Sequence, residues 1–246
     1  MSIPGLSDWL KTPQGRYLLD WEQASFDELV ADLFGYNAVQ IGMARIDFLR
    51  ANRMPFRFGC AMSEAAEVQA NEHELPFATA SLDLVLLPHV LEFSKQPHQV
   101  LREVERVLVP EGSVIVSGLN PLSLWGLRRF GARGGGDFPW QGQYRSAMRI
   151  KDWLTLLGFE VQAGRFGCYA PAVSSSKWLE RWRILDRAGA RWWPVCGAGY
   201  MLHGVKRVQG MRLITPKWRE ERRAAKALSP VVQRNGDNGE IRKSEE

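Results

Sequence analysis

The stretch from Ala70 to Phe93, ANEHELPFATASLDLVLLPHVLEF, carries the strongest fold signal in the chain. Its middle, SLDLVLLP, first alternates polar and apolar residues and then becomes continuously apolar, which is typical of a parallel strand covered on both faces. The run from His89 to Glu92 follows at once as a helix start. We therefore predict a central, buried strand that belongs to a sheet with helices on both faces.

Predicted strands and helices alternate on either side of this stretch. Upstream we expect a strand in AVQI, a short helix in ARIDFLRANR and a second strand in FRFGC. Downstream we expect a helix from Pro97, a strand in PEGSVIVSG, a helix in IKDWLTLL that ends at Gly158, and strands in FEVQAG and GYMLHGVKRV. Thr12 before Pro13, and the spacing of Ser25 and Glu28, predict two helices at the start of the chain. This alternation favours an α/β fold with a mostly parallel sheet.

Composition limits the classes of protein that the chain can belong to. Its 246 residues are 45% hydrophobic and 24% charged, as in ordinary globular proteins. We expect no membrane-spanning segment, because no apolar run reaches the roughly 20 residues that a spanning helix needs, and no secretory signal. Cys60, Cys168 and Cys196 lack the spacing of a disulfide framework or a zinc site, so we expect no metal site and a cytoplasmic location.

Charge is distributed unevenly along the chain. Residues 1–127 contain 9 lysines and arginines against 16 acidic residues, whereas residues 128–223 contain 19 against 7. One interpretation is that opposite faces of a single domain partly neutralise each other. The other is that the basic part, 128–223, attracts a nucleic acid or another anionic surface. The sequence leaves both open.

Several runs together resemble the class I S-adenosylmethionine-dependent methyltransferases, in particular the type 11 group. The matching runs are Asn71, Leu75–Phe77, Leu82–Val85, His89–Glu92, then LREVERVLVPEGSVIVSGLNP and KDWLTLLGFEV. They cover roughly residues 36–165, and each would be weak alone. The resemblance implies a Rossmann-like class I methyltransferase fold, with a mostly parallel seven-stranded sheet and helices on both faces.

The resemblance also implies S-adenosylmethionine as the cofactor, and it places the cofactor contacts. They are Gln40, Gly42 and Met43 after the first strand, Ala61 after the second, Asn71 and Glu72 after the third, and Pro88 after the fourth. His89 is the candidate catalytic residue, since it could orient an acceptor or take its proton; the alternative is that it only caps the next helix. Asn120 and Arg128 are the candidates on the acceptor side.

This chain departs from the family pattern at the positions that usually anchor the cofactor. Gln40 stands where the family has an acid, and Ala44 and Ile46 replace the later glycines of the loop. Ala61 replaces the acid that holds the ribose hydroxyls. The connection from Met62 to Glu67 is also too short for a full crossover helix. The resemblance therefore implies a retained pocket position with weakened cofactor contacts.

Four tryptophans and several basic residues share the segment SSKWLERWRILDRAGARWWP. The tryptophans could pack an extra helix onto the sheet while the charges face water, or they could stack on bases or lie at a membrane interface. A charge-rich tail without apolar periodicity follows from about Pro216, which we predict to form a short helix followed by a disordered segment.

These observations give one domain hypothesis and several functional hypotheses. We predict an N-terminal helical extension over residues 1–35, a methyltransferase-like domain over 36–215 and the tail over 216–246. The leading function is transfer of a methyl group from S-adenosylmethionine to an unidentified acceptor. The alternatives are a non-catalytic binding or scaffold protein of the same fold, and an RNA- or membrane-surface binding module.

Overall fold

The computed structural model describes residues 5–131, 139–173, 175–182, 186, 189 and 191–208. In chain order its elements are α1 (Leu6–Trp9), α2 (Pro13–Ala31), β1 (Asn37–Ile41), β2 (Phe56–Cys60), β3 (Leu82–Pro88), α3 (Val90–Phe93), α4 (Pro97–Val107), β4 (Leu108–Leu119), α5 (Leu124–Gly131), α6 (Ala147–Leu156), β5 (Phe159–Gly167), α7 (Ser176–Trp182), a 3-10 turn (Pro194–Cys196) and β6 (Gly199–Lys206).

The strands form one sheet in the order β2-β1-β3-β4-β6-β5. The first four are parallel neighbours, and β6 runs antiparallel to both β4 and β5. The strand order reverses beside β1, so the carboxyl ends of β1 and β3 lie together at one edge. In doubly wound sheets ligands bind at such an edge.

Helices cover both faces of this sheet. Because the side chains on both faces are buried, central strands such as β3 are apolar along their length. On one face α4 packs Val100, Leu101 and Val104 against the core that includes Val85 and Val116. On the other face the side chains of α2 reach the core, and the rings of Phe26 and Phe48 lie 4.6 Å apart. Helix α2 is therefore packed directly on the sheet and is not a separate extension.

Most of the predicted elements are confirmed. The central strand is β3, the helix from Pro97 is α4, and the helix that ends before Gly158 is α6. Gly158 has a φ of +84°, the left-handed conformation that commonly ends helices. Thr12 caps α2 by accepting a hydrogen bond from the Gly15 amide at 3.2 Å.

Three predictions are wrong. The sheet has six strands among the described residues, because residues 61–81 form turns and only isolated bridges, Cys60 to Val68 and Asn71 to Glu74, where a further strand was expected. The segment 44–53 forms turns and bends, without the predicted helix. Ser25 does not begin a helix, since it lies buried inside α2.

The boundaries predicted for the three parts of the chain stay predictions. Residues 209–246, with the predicted tail, lie outside the described residues. No described helix has both the length and the apolar character that crossing a bilayer requires.

Candidate functional site

The loop after β1 is organised by the side chain of Gln40. Its Nε2 lies 3.2 Å from the carbonyl oxygens of Gly42 and Met43 and 2.7 Å from that of Ile46, and its Oε1 accepts from the Phe48 amide at 2.9 Å. A buried amide that satisfies four backbone groups replaces the hydrogen bonds of a first helical turn. This network explains why the segment after β1 forms turns where a helix was predicted.

Gly42 occupies the position in this loop where only glycine is unstrained. Its φ is +82°, and a Cβ built on it would lie 3.0 Å from Cγ2 of Val90 and 3.8 Å from the Pro88 carbonyl oxygen. The loop after β1 therefore approaches the turn after β3 very closely. The structure thus brings Gly42 and Pro88, two of the predicted cofactor residues, to the same place.

Ala61, the residue after β2, has no carboxylate that could hold a ribose. Ala61 is buried, and its amide donates to the Val68 carbonyl at 3.1 Å. Asn71 is exposed, and its Oδ1 accepts from the His73 amide at 3.2 Å, while the buried Glu72 lies 3.6 Å from His73 Nε2. Asn71 is therefore accessible to a ligand, whereas Ala61 offers only backbone and a methyl group.

His89 lies at the carboxyl end of β3, as predicted, and both of its ring nitrogens face carboxylates. Nε2 is 2.7 Å from Glu22 Oε1, and Nδ1 is 3.0 Å from Glu92 Oε2. All three side chains are buried. Because Glu22 belongs to α2, its ion pair with His89 connects α2 to the carboxyl end of β3.

The charges of this group determine the protonation of His89. Burial alone lowers its pKa, but the carboxylates of Glu22 and then Glu92 outweigh burial and hold the pKa of His89 well above its ordinary value. The residue also adopts a φ of +54°, which costs about 1 kcal/mol or more for a non-glycine residue. No side-chain capping bond to α3 forms, so the alternative role as a simple helix cap is not supported.

A second polar group lies between β4, β6 and the loop before α6. The hydroxyl of Tyr200 and Oε1 of Glu92 lie 2.6 and 2.8 Å from the place where a Cβ on Gly118 would be. The Tyr144 hydroxyl is buried and has no hydrogen-bond partner among the described residues. Burial, followed by the nearby charge of Glu92, raises the pKa of Tyr144 far above its ordinary value, so it is a neutral donor at any physiological pH.

The two residues predicted for the acceptor side have structural contacts. The buried Asn120 donates from Nδ2 to the carbonyl oxygens of Val195, at 2.7 Å, and Gly197, at 3.0 Å. Arg128 donates to the Ala172 carbonyl and lies 5.0 Å above the Trp140 ring. Both lie beyond the carboxyl end of β4, where an acceptor would approach, but each is already engaged with protein groups.

Two cavities were compared with the predicted site residues. The larger cavity contains none of these residues, and the smaller one contains only Gln40. A cavity of about 580 Å³ lies between α2 and the end of β5, and none of the predicted site residues lines it. A smaller one of about 130 Å³ lies beside Gln40, Ile46 and Gly59. Because ligand pockets typically measure roughly 300–1,000 Å³, the smaller cavity would have to widen to hold a nucleoside.

Comparison with known proteins shows what the segment that contains these residues is similar to. Residues 42–116 match the family model described as the methyltransferase domain. This match begins at Gly42, in the loop after β1, and ends within β4. Residues 42–116 of the chain are thus similar to a methyltransferase domain.

Individual relatives extend this comparison beyond the matched segment. The protein YafS of Escherichia coli (strain K12) is 42% identical over 107 residues, which are 43% of this chain and 45% of that protein. A Haloferax volcanii methyltransferase in complex with the Trm112 activator has a TM-score of 0.58 at 15% identity, over 85% of this chain and 99% of that one. An S-adenosylmethionine-dependent methyltransferase of Thermotoga maritima has a TM-score of 0.53 at 18% identity, over 78% and 97%. These structures share the methyltransferase fold with this chain.

The sequence analysis did not predict the residues from distant segments that lie near His89 and Glu92, namely Glu22 and Tyr200. The spacing of Glu92, three residues after His89, was a usable signal on α3. Glu22 and Tyr200 carried none, because α2 and β6 lie far from His89 in the chain. Glu22 and Tyr200 come near His89 and Glu92 only when the sheet and α2 have packed together.

Proposed function

We propose that the domain transfers a methyl group from S-adenosylmethionine to a nucleophile of an acceptor that is still to be identified. The single observation that carries this proposal is the contact between the Gly42 loop and the turn at Pro88, within the segment that matches the methyltransferase domain. A positive-φ glycine at this place lets the backbone come close to a ligand.

The residues present fit the cofactor in position but with few side-chain anchors. Gly42 and Met43 would face its methionine part, Asn71 its adenine, and Pro88 the same ligand from the adjacent strand. Ala61 offers no partner to the ribose hydroxyls. A hydrogen bond to a charged group is worth about 1.5–3 kcal/mol, so we propose weak binding that involves some opening of the Gln40 loop.

When bound, the cofactor supplies an activated sulfonium methyl group, and the residues of the chain have to align the acceptor with it. Alignment is the main requirement of such a transfer. We propose that Tyr144, with its unpaired hydroxyl beside Glu92, donates a hydrogen bond to the acceptor. Asn120 and Arg128 would shape the acceptor entrance. The catalytic role of His89 stays a proposal, with its contact to the acceptor dependent on opening of the Glu22 and Glu92 ion pairs.

A non-catalytic scaffold of the same fold is the second candidate function. The observation that favours it is the Gln40 network, which closes the loop from within, together with the missing acid at Ala61. Such a protein would bind its partner without transferring a methyl group.

The partner and the location belong to the same proposal. The surplus of basic residues over 128–223 favours an anionic macromolecule, and charge alone does not distinguish nucleic acid from lipid. Cys60 and Cys168 are buried and Cys196 is exposed, all as free thiols, which supports a cytoplasmic location.

Transfer of labelled methyl groups tests the function. The purified protein is incubated with methyl-labelled S-adenosylmethionine and, separately, with lipid, RNA and protein fractions of a cell extract. We expect label in one fraction, with loss of transfer in Gly42→Ala and retention in Gly158→Ala. Cofactor binding without label in any fraction would favour the scaffold.

A further inference from the structure

Exposed apolar side chains are concentrated in two stretches of the chain. Of the 15 large hydrophobic residues that are exposed within the described ranges, 8 fall within residues 122–127 and 178–195. They are Leu122, Leu124, Leu127, Trp178, Trp182, Trp192, Trp193 and Val195. A contiguous apolar patch on a globular protein usually marks a site of interaction with a protein or a membrane.

Hydrogen bonds connect the segments that carry these two stretches. Trp125, on the buried side of α5, donates from Nε1 to the Ala170 carbonyl at 2.9 Å, a few residues before α7. Asn120, just before α5, binds the carbonyl oxygens of Val195 and Gly197. Because α5, the segment before α7 and the turn around Val195 are joined in this way, we treat the exposed residues of the three segments as one candidate surface. We call it the α5–α7 surface.

Positive charge borders this surface. Arg128 and Arg129 lie in the last turn of α5, Lys177 and Arg181 on α7, and Arg191 next to Trp192. In the part of the chain that the structure describes, none of the five forms an ion pair with a carboxylate, and the Arg181 guanidinium lies 5.5 Å above the Trp178 ring. The surface therefore combines apolar side chains with basic ones that no acid neutralises.

We infer that the α5–α7 surface docks onto an anionic phospholipid membrane. The three leucines are 67%, 50% and 68% exposed, and they have neither the π-face nor the hydrogen-bonding groups that bases require. Leucines gain free energy in acyl chains, tryptophans favour the interfacial layer, and arginines and lysines bind anionic headgroups. This pattern fits a bilayer surface better than RNA, which is recognised by stacking, hydrogen bonds and phosphate contacts.

This inference names the partner of the proposed function, because Asn120 directly follows β4, at the sheet edge where the acceptor would enter. Membrane docking would hold that entrance against the bilayer. Docking itself does not require the cofactor, so it is measured independently of methyl transfer.

Sedimentation with vesicles tests the inference directly. The probes are vesicles of phosphatidylcholine mixed with phosphatidylglycerol, vesicles of phosphatidylcholine alone, and single-stranded RNA. We expect binding to the mixed vesicles, much less to the neutral ones, and a blue shift of tryptophan emission on binding. Tighter binding to RNA than to the mixed vesicles, or no binding to these vesicles, would overturn the inference.

Paired variants separate the apolar and the charged parts of the surface. Leu124→Ser with Leu127→Ser should weaken partitioning by at least about tenfold, since full burial of one leucine is worth about 1.5–3 kcal/mol. Leu156→Ser is the matched control, because Leu156 is 84% exposed on α6, outside the surface, and should bind like the wild type. Equal loss in the leucine pair and in the control would contradict the inference.

Charge reversal gives a second and structurally safer test. Lys177 and Arg181 are exposed, so Lys177→Glu with Arg181→Glu should keep the fold while abolishing the preference for anionic vesicles. Circular dichroism and the heat of cofactor binding are measured on every variant. Retained preference in a folded variant would overturn the role of these charges, whereas lost cofactor heat with intact vesicle binding would count against the proposed methyl transfer only.

Discussion

Gln40 shows how one side chain can replace a helical turn. Its amide donates to carbonyl oxygens of the loop after β1 and accepts from the amide of Phe48, so an amide is required there and an acid is not equivalent. The family pattern has an acid at this position, and the substitution changes the loop from within. The residue therefore explains both the lost helix and the closed form of the loop after β1.

Changing Gln40 to Glu tests this role. A carboxylate would face the carbonyl oxygens of Gly42, Met43 and Ile46 without a proton to donate. We expect Gln40→Glu to lower the free energy of unfolding by about 1–3 kcal/mol at neutral pH, with a smaller loss at acidic pH where the carboxyl is protonated. Urea denaturation measures the free energy of unfolding at neutral and at acidic pH. Gln143→Glu is the control, since Gln143 is exposed and its Oε1 accepts from Arg145; an equal loss there would contradict the account.

His89 should contribute to stability in a pH-dependent way. Its folded pKa is raised, so its contribution is fully present below the unfolded value of about 6.5 and declines as the pH rises through the folded pKa. Removing one member of a buried ion pair typically costs about 3–5 kcal/mol. We expect the difference between wild type and His89→Gln to be of this size in mildly acidic buffer and to shrink at alkaline pH.

His203 provides the matched control for this measurement. Burial lowers the pKa of His203, whose Nε2 lies 3.1 Å from Ser113 Oγ, so its contribution is lost as the pH falls through the unfolded value. Urea denaturation of His203→Gln should therefore show the opposite pH trend. If the two variants show the same trend, the Glu22 and Glu92 ion pairs do not hold a charged His89.

At the scale of the elements, the loop after β1 and the turn after β3 form one contact. Gly42 and Gly158 have nearly equal φ angles, +82° and +84°, but only Gly42 lies beside Val90 and Pro88. We expect alanine at either position to cost about 1–2 kcal/mol of stability because of the left-handed backbone. Only Gly42→Ala should also weaken cofactor binding, measured by calorimetry. Equal binding by both variants would remove the loop from the cofactor site.

The elements that were predictable from the sequence are those whose own pattern determines them. Strand β3 is recognisable from its apolar run, and α4 from Pro97 and its helical spacing. The segment after β1 was mispredicted because the side chain of Gln40 satisfies its backbone, and periodicity does not report such bonds. The missing strand has a different cause, because the connection from Met62 to Glu67 is too short for a full crossover helix and residues 61–81 form turns and isolated bridges.

The sequence predicted which edge of the sheet holds the candidate residues, but it did not predict all of the side chains that meet there. The family pattern placed Gly42, Pro88 and His89 at the carboxyl edge of the sheet, where the structure has them. It could not supply Glu22, Tyr144 or Tyr200, since these come from segments whose contacts depend on tertiary packing. Trp178 and Trp192 are exposed, so these two side chains are not packed in the core, whereas their contact with a base or a membrane stays a prediction.

The whole molecule has a methyltransferase fold in which the Gln40 network closes the loop after β1 and exposed apolar and basic residues follow β4 on α5 and α7. The acidic N-terminal part contributes Glu22 and Glu92 to the buried ion pairs, and the basic part contributes the charges around α5 and α7. The uneven charge of the chain therefore corresponds to two different regions of the structure.

The most direct test of the central claim is calorimetric titration of the full-length protein with S-adenosylhomocysteine. We predict saturable binding with a dissociation constant weaker than micromolar, because the carboxylate contact to the ribose is absent and the Gln40 loop has to open. The Gly42→Ala variant should bind more weakly still, and Gly158→Ala should bind like the wild type. Absence of any heat up to millimolar ligand, with a protein shown to be folded by circular dichroism, would contradict the claim that this domain holds the cofactor.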